Sequence, residues 1–189
     1  VEYMDHTSNT IYVAFKVKET KQEFLKDTSV IIWTTTPWTI PANKALAFSD
    51  NIEYSVLEIS ELDHFKEKKI VVASNLIESI VKSCEIENYK VLKTFKGRDF
   101  TGTICSHPFA KINFNYDVPM LNARFVNLDQ GTGIVHCAPS HGPDDFNLCL
   151  KNNIPSLYTV DNAGLYTKEI PYFTNIHIFK ADPIVIEKL

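Results

Sequence analysis

The chain has 189 residues, 44% of them hydrophobic and 22% charged, and a formal net charge of −4. That is enough apolar sequence for one domain with its own core. No apolar run approaches the roughly 20 residues that span a bilayer, and the acidic balance excludes a broad grip on nucleic acid, though not contact with a short single-stranded end.

The opening residues, VEYMDHTSNT, have neither an initiator Met nor the basic-then-apolar order of a secretory signal. The expectation is a single domain, residues 1–189, excised from a longer protein. Residues 10–18 alternate, with Ile11, Val13, Phe15 and Val17 on one side, as in a half-buried strand. Residues 29–34 form a second, more deeply buried strand. Residues 45–48 and 53–59 are short strands around the Ser49-Asp50-Asn51 turn, and residues 69–73 are another. The charged run from Lys66 to Lys69 reads as a solvated loop. Ser74 is placed as the N-cap of a helix carrying Leu76, Ile77, Ile80 and Val81 on one face. Residues 89–95 alternate again, followed by Gly97 and Gly102 as turn residues. Residues 118–128 and 133–137 are strand candidates, and 143–150 is a short helix with Pro143 in its first turn. Residues 156–160 and 174–179 complete the strands.

Many short strands with about two helices, and no regular βαβ alternation, predict a mixed, β-rich α/β fold with a barrel-like core and flanking short helices. Cys84, Cys105, Cys137 and Cys149 form no CxxC pair. Reduced, mostly buried thiols in a cytoplasmic protein are the expectation.

Two stretches depart from ordinary strand and turn usage. The first, WTTTPWTIPANKALAF (residues 33–48), sets three threonines at the end of an apolar strand. Thr34, Thr35 and Thr36 offer hydroxyls, and alternation predicts that not all three face one pocket. Trp33 and Trp38 are candidate walls, with core or rim packing as the default for a tryptophan beside a strand. Asn43 either stabilises the turn or binds directly.

The second stretch, QGTGIVHCAPSHGPDDF (residues 130–146), is no phosphate loop, since no GK[ST] follows and the glycines lead into a strand. They permit a tight turn and close backbone approach instead. His136, His141, Asp144 and Asp145 then fall within ten residues. A zinc site using His136, Cys137, His141 and an Asp is disfavoured, because the spacing fits no standard pattern. A Cys137–His136 nucleophile pair is disfavoured because strand neighbours point to opposite faces. Structural histidines capping a turn remain open. Asp144 and Asp145 suit the first turn of a helix whatever else they do, and adjacent helical residues diverge by about 100°, so one of them faces a given pocket. An ionised Asp at the mouth of an apolar pocket is a natural receptor for an ammonium.

Together the two stretches resemble the editing domain of isoleucyl-tRNA synthetases: the threonine-rich segment in WTTTPWTIPANKALAF, and the GTGxVHxAPxHGxDD segment in GTGIVHCAPSHGPDDF. VEYMDHTSNTIYVAFKV resembles the domain's first strand and VDNAGLYTKEIP its exit region, so the resemblance covers essentially the whole chain. The valyl and leucyl relatives carry Arg-Pro after their threonines, where this chain has Thr36-Pro37-Trp38. No signature of the synthetic site is present.

The resemblance implies an ester hydrolase acting on valyl-tRNA(Ile), with valyl-adenylate as a second candidate substrate. It implies that Asp145 anchors the substrate ammonium and that His136 lines the amino-acid pocket, with a general-base role ranked lower. Thr35 is assigned with these two to the catalytic group; Trp33, Thr34, Thr36, Asn43, His141 and Asp144 are assigned to substrate binding. No metal or cofactor is expected for editing, since ATP and Mg would serve the absent synthetic body. The expected partners are the 3′ end of a misacylated tRNA(Ile) and the rest of the synthetase chain. No membrane association is expected, and the isolated domain is expected to be a monomer that binds tRNA weakly. The alternatives are a non-catalytic β-barrel module recognising an RNA end or a protein, and a stand-alone deacylase.

Overall fold

A computed structural model describes residues 9–60 and 67–189. Residues 1–8, ahead of the strand expected over 10–18, and Lys66 of the charged run lie outside the described residues.

The alternating segment forms β1 (Ile11–Glu19), paired antiparallel with β2 (Ser29–Thr34) in the register Ile11 opposite Thr34 through Lys16 opposite Ser29. Then come β3 (Ala45–Phe48), β4 (Glu53–Ile59), β5 (Lys69–Ala73), β6 (Tyr89–Lys96), β7 (Ile104–Ser106), β8 (Asp117–Asn122) and β9 (Val135–Cys137). Among the described residues these nine strands make one mixed sheet in the order β6-β4-β5-β2-β1-β7-β8-β3-β9. The pairs β2/β5 and β3/β8 are parallel; the others are antiparallel. Three α-helices flank it: α1 (Ile77–Ser83), α2 (Pro143–Lys151) and α3 (Ala181–Lys188).

The apolar run of β2 follows from its two covered faces. Val30 and Ile32 join the main core with Phe15, Leu46, Tyr54, Val71 and Phe95. Ile31 points the other way, into a second cluster with Leu57, Ile70, Val72 and the α1 residues Ile77 and Ile80. Each such buried side chain contributes about 1.5–3 kcal/mol. A third cluster sets Leu148 and Cys149 of α2 against Ala45 and Ala47 of β3 and Cys137 of β9.

The main core draws on strands from opposite ends of the order, Phe95 of β6 and Leu46 of β3, so the sheet curls around it. Among the described residues no ladder closes the curl. The backbone N–H of Ala73 donates to the Thr132 carbonyl at 2.8 Å, and the Tyr54 hydroxyl donates to the Gly133 carbonyl at 2.8 Å. Gly133 has a positive φ of 75°, and a Cβ there would sit 2.4 Å from that of Ala73. The expected barrel-like core is therefore correct only in a loose sense: the sheet is mixed and curled, its ends are β6 and β9, and this short seam ties β4 and β5 to the turn that leads into β9.

Several expected elements differ. Ser74 does not cap a helix. Its hydroxyl pairs with Ser55 Oγ at 2.8 Å, and the chain passes through a 3-10 turn before α1. The strand expected over residues 118–128 stops at Asn122, after which the Ala123 N–H still reaches the Phe48 carbonyl but the chain turns away. Residues 156–160 have no strand partner beyond a single bridge from Val160 to Tyr166. Residues 174–179 break at Asn175, whose φ is 65°, and end in a 3-10 turn that His177 caps. The three-residue β7 and the helix α3 have no counterpart among the elements expected from the sequence.

Candidate functional site

The threonine segment turns where β2 ends. Thr34 is the last strand residue, and its Oγ1 accepts from the Thr36 N–H at 3.1 Å and lies 3.3 Å from the Thr36 hydroxyl. Pro37 then opens a 3-10 turn, Pro37–Ala42. Two contacts brace this turn from the C-terminal region. Asp182 Oδ1 of α3 accepts from the Trp38 N–H at 2.8 Å, and the Tyr166 hydroxyl donates to the Trp38 carbonyl.

A cavity of about 280 Å³ opens at this point, lined by Trp33 and by Thr34, Thr35, Thr36 and Thr39 on one side. All three consecutive threonines contribute, against the alternation rule, because the strand has ended by Thr35 and the rule no longer applies. Their hydroxyls are not equivalent. Those of Thr34 and Thr36 are engaged in the turn, whereas the exposed Thr35 side chain makes no hydrogen bond among the described residues.

The opposite side comes from β9 and the turn after it: Val135, His136, Ala138, His141 and Asp145. The GTG turn delivers His136 to the cavity and Cys137 to the α2 cluster, as alternation requires. Burial raises the Cys137 thiol well above its ordinary range, with Asp145 and Cys149 adding to the effect.

His136 is half-buried by surface, yet both its ring nitrogens turn into the protein. Asn43 Nδ2 lies 2.9 Å from Nδ1 and 2.9 Å from the Ala45 carbonyl, which only accepts. The amide nitrogen therefore donates to both, and Nδ1 is an acceptor. At the other end, Thr39 Oγ1 lies 2.8 Å from Nε2 and donates to the Thr36 carbonyl at 2.9 Å. Its one proton is committed there, so it accepts from Nε2–H. Both ends define the same neutral tautomer. Burial, with His141 adding to it, pushes the His136 pKa down to about 4. Asn43 is fully buried and meets the cavity only through His136, with its own Oδ1 unpartnered.

Asp145 stands in the first turn of α2 and folds back over Gly142, where an added Cβ would lie 3.1 Å from Oδ2. That oxygen accepts from the Ala138 N–H at 2.9 Å, which ties the helix start to the β9 turn. Burial raises the Asp145 pKa; the Ala138 N–H opposes the rise. A carboxylate has about four acceptor positions, so capacity for an ammonium remains. Asp144, one residue earlier, is exposed and does not line the cavity.

His141 is half-buried, hydrogen-bonded to Thr159 Oγ1 at 3.0 Å and edge-on to Trp38 with ring centroids 4.8 Å apart. It also borders a neighbouring cavity of about 420 Å³ between Ser140 and residues 156–160. Trp38 stands behind His141 and does not line the smaller cavity. Among the described residues no group of three or more His, Cys, Asp or Glu could hold a metal ion.

The structure thus gathers Trp33, Thr34, Thr35, Thr36, His136, His141 and Asp145 around one space, with Asn43 behind it and Asp144 outside. Thr39, Val135 and Ala138 are additions. Thr39 belongs to the same threonine-rich run, and a 3-10 period of three aligns it with Thr36.

A family profile described as "Leucyl-tRNA synthetase, editing domain" matches residues 7–181. The chain is 63% identical over all its 189 residues to the isoleucine–tRNA ligase of Pelagibacter ubique, of which it covers 21%. It is 41% identical to that of Gluconobacter oxydans, with 97% of this chain and 20% of the relative aligned. The chain spans about a fifth of the length of these curated relatives. Among solved structures, the P. knowlesi cytosolic leucyl-tRNA synthetase editing domain aligns with a TM-score of 0.58 at 14% identity, over 76% of this chain and 60% of that one. GlLeuRS-CP1 aligns with a TM-score of 0.57 at 14% identity, over 78% and 65% respectively. At such identity these two speak for the fold alone.

Proposed function

From the premise that the chain belongs to the synthetase editing-domain family, as an editing domain of the isoleucyl-tRNA synthetase type, we propose that it hydrolyses the ester of misacylated valyl-tRNA(Ile). The observation that carries this reading is the single cavity uniting the threonine segment with Asp145. Its volume of about 280 Å³ falls just below the usual range of about 300–1,000 Å³ for ligand pockets, a size for one small aminoacyl group.

The chemistry asks little of the protein. An aminoacyl ester is already activated, so a positioned water and donors near the carbonyl suffice. Asp145 receives the α-ammonium in a charge-assisted contact, and the free Thr35 hydroxyl serves the ester, the ribose or the water. His136 forms a wall and not a base, because its basic nitrogen already accepts from Asn43. The need for a second site follows from the synthetic pocket: one methylene discriminates by only about 1–3 kcal/mol, a general figure for which isoleucyl-tRNA synthetases are themselves the standard example.

The partners are then the 3′ end of the misacylated tRNA and the remainder of the synthetase chain. Valyl-adenylate is a second substrate of the same cavity. No cofactor enters the editing step, and ATP and Mg serve the synthetic body. The site of action is the cytoplasm; no helix among the described residues is long and apolar enough to cross a membrane. The comparisons do not favour a non-catalytic binding module.

The test uses the full-length isoleucine–tRNA ligase carrying Asp145→Asn. The amide oxygen can still accept from the Ala138 N–H, so the helix start is kept while the charge is removed. Losing a charge-assisted hydrogen bond of about 1.5–3 kcal/mol lowers hydrolysis of valyl-tRNA(Ile) by about 10- to 150-fold. A folded variant that clears it at the wild-type rate overturns the reading.

A further inference from the structure

We propose that the larger cavity beside the amino-acid cavity is a nucleobase subsite, and that it takes the base of the nucleotide preceding the terminal adenosine of the tRNA 3′ end, stacked on Tyr158. The inference rests on the editing function proposed above and extends it to a part of the substrate that takes no part in the chemistry.

The cavity of about 420 Å³ adjoins the smaller one, since His141 lines both. Its volume lies inside the usual range of about 300–1,000 Å³ for ligand pockets. Its walls are Ser140 and His141 on one side and residues 156–160 on the other. No Lys, Arg, Asp or Glu is among them, and burial lowers the His141 pKa, which keeps that ring neutral at pH 7. A wall without fixed charge offers a phosphate or an ammonium no ion pair. It suits a neutral, flat, hydrogen-bonding ring.

Donors, acceptors and a ring face are all present. Residues 156–160 are held from one side by Thr167, whose N–H donates to the Thr159 carbonyl at 3.0 Å and whose hydroxyl donates to the Tyr158 carbonyl at 2.6 Å. None of the five backbone N–H groups of this run donates to a protein group among the described residues. Ser140 gives its proton to the Leu157 carbonyl and so presents an acceptor, 3.3 Å from the Ser156 hydroxyl. Tyr158 is 62% exposed and has no ring partner among the described residues. Its hydroxyl lies 3.4 Å from Asn162 Oδ1, which steadies the ring by its tip. An open aromatic face beside such groups is how proteins seat the unstacked bases of a single strand, whose faces stack while their edges hydrogen-bond. Stacking needs no cation, in keeping with the net charge of −4.

The choice of nucleotide follows from covalent reach. The terminal adenine is joined by one bond to the ribose that carries the ester, so it stays at the mouth of the smaller cavity. The preceding nucleotide hangs on a flexible phosphodiester, and its base is the first that can pass His141.

The test compares full-length wild type, Tyr158→Ala and Tyr158→Phe on preformed valyl-tRNA(Ile), either intact or made abasic at the preceding or at the terminal nucleotide. Tyr158 is exposed, so neither substitution disturbs the core. On intact tRNA the Ala variant should lose about 5- to 150-fold in kcat/KM, mainly through KM, the weight of one base–aromatic stack. The Phe variant should stay within about twofold of wild type, because the ring and not the hydroxyl stacks. On tRNA abasic at the preceding nucleotide, wild type should fall to the level of the Ala variant. On tRNA abasic at the terminal nucleotide, the difference between them should persist. An Ala variant that matches wild type on intact tRNA overturns the proposal. So does a loss that persists on the preceding-abasic substrate, which marks a structural role, or one that vanishes only on the terminal-abasic substrate, which puts the terminal adenine in the cavity. A wild-type enzyme that leaves valyl-tRNA(Ile) intact removes the editing function itself and the proposal with it.

Discussion

His107 repeats at the back of the turn what His136 does at the front. It lies in a cage of Phe109, Phe114 and Tyr116, its Nδ1 accepts from the Phe109 N–H, and its Nε2–H donates to the Ile40 carbonyl at 3.1 Å. Burial is the main cause that drives its pKa down to about 3. Both folded values lie below the unfolded value of about 6.5, so the unfolded chain binds protons that the folded chain refuses. Their stabilisation is therefore complete above pH 6.5 and is lost as pH falls, towards about 4 for His136 and about 3 for His107. Asp145, raised by burial, acts in the opposite direction. Urea unfolding at pH 7.5, 6, 5 and 4 should show a midpoint that falls steadily below pH 6.5. A midpoint that holds to pH 4 contradicts the buried neutral state of the pair. At this scale the sequence shows which residue types cluster. It does not show the Thr39 contact with His136, because that depends on the run becoming a 3-10 turn, nor which of Asp144 and Asp145 turns inward.

Elements are legible where a strand's own residues decide its fate. β2, β3, β4 and β5 occupy the ranges expected from the sequence, because uninterrupted or alternating apolar runs must be covered on one or both faces. Residues 156–160 and 174–179 have strand-like composition but make only isolated bridges, Val160 to Tyr166 and His177 to Leu165, which only the tertiary structure reveals. α3 hides behind Pro183 and the β-branched run Ile184-Val185-Ile186, yet Pro is tolerated in a first helical turn. Gly97 reads as a turn residue in the sequence, and its actual burden is proximity. A Cβ there would stand 1.9 Å from the Ser49 carbonyl oxygen and 2.9 Å from the Tyr54 ring. Gly97→Ala therefore forces backbone apart and should destabilise by about 3 kcal/mol, the upper part of the overpacking range. In urea the midpoint should fall with the m-value unchanged; an unchanged midpoint would mean that this contact is not maintained in solution.

At the scale of the whole molecule, composition announces a β-rich mixed fold, and the two unusual stretches announce that they belong together. What composition cannot announce is that the sheet curls without closing, since closure depends on how nine short strands accumulate twist. The net charge of −4 has a functional counterpart. Few cations are available to displace counterions from an RNA backbone, so the domain should depend on the rest of the synthetase to present the tRNA end. Filter binding of the free domain to tRNA(Ile) at about 0.15 M salt should give a dissociation constant no tighter than about micromolar, and nanomolar affinity would contradict this division of labour.

The two sides of the cavity lie on strands that are not neighbours in the sheet, β2 near its middle and β9 at its edge. The turn leading into β9 is held back against β5 and β4 by a clasp of two hydrogen bonds, at Ala73–Thr132 and Tyr54–Gly133. The width of the cavity is thus a mechanical setting, gauged by a fastening that lies outside its lining. Substitutions at that fastening offer evolution a dial for the cavity's width that leaves every lining residue in place.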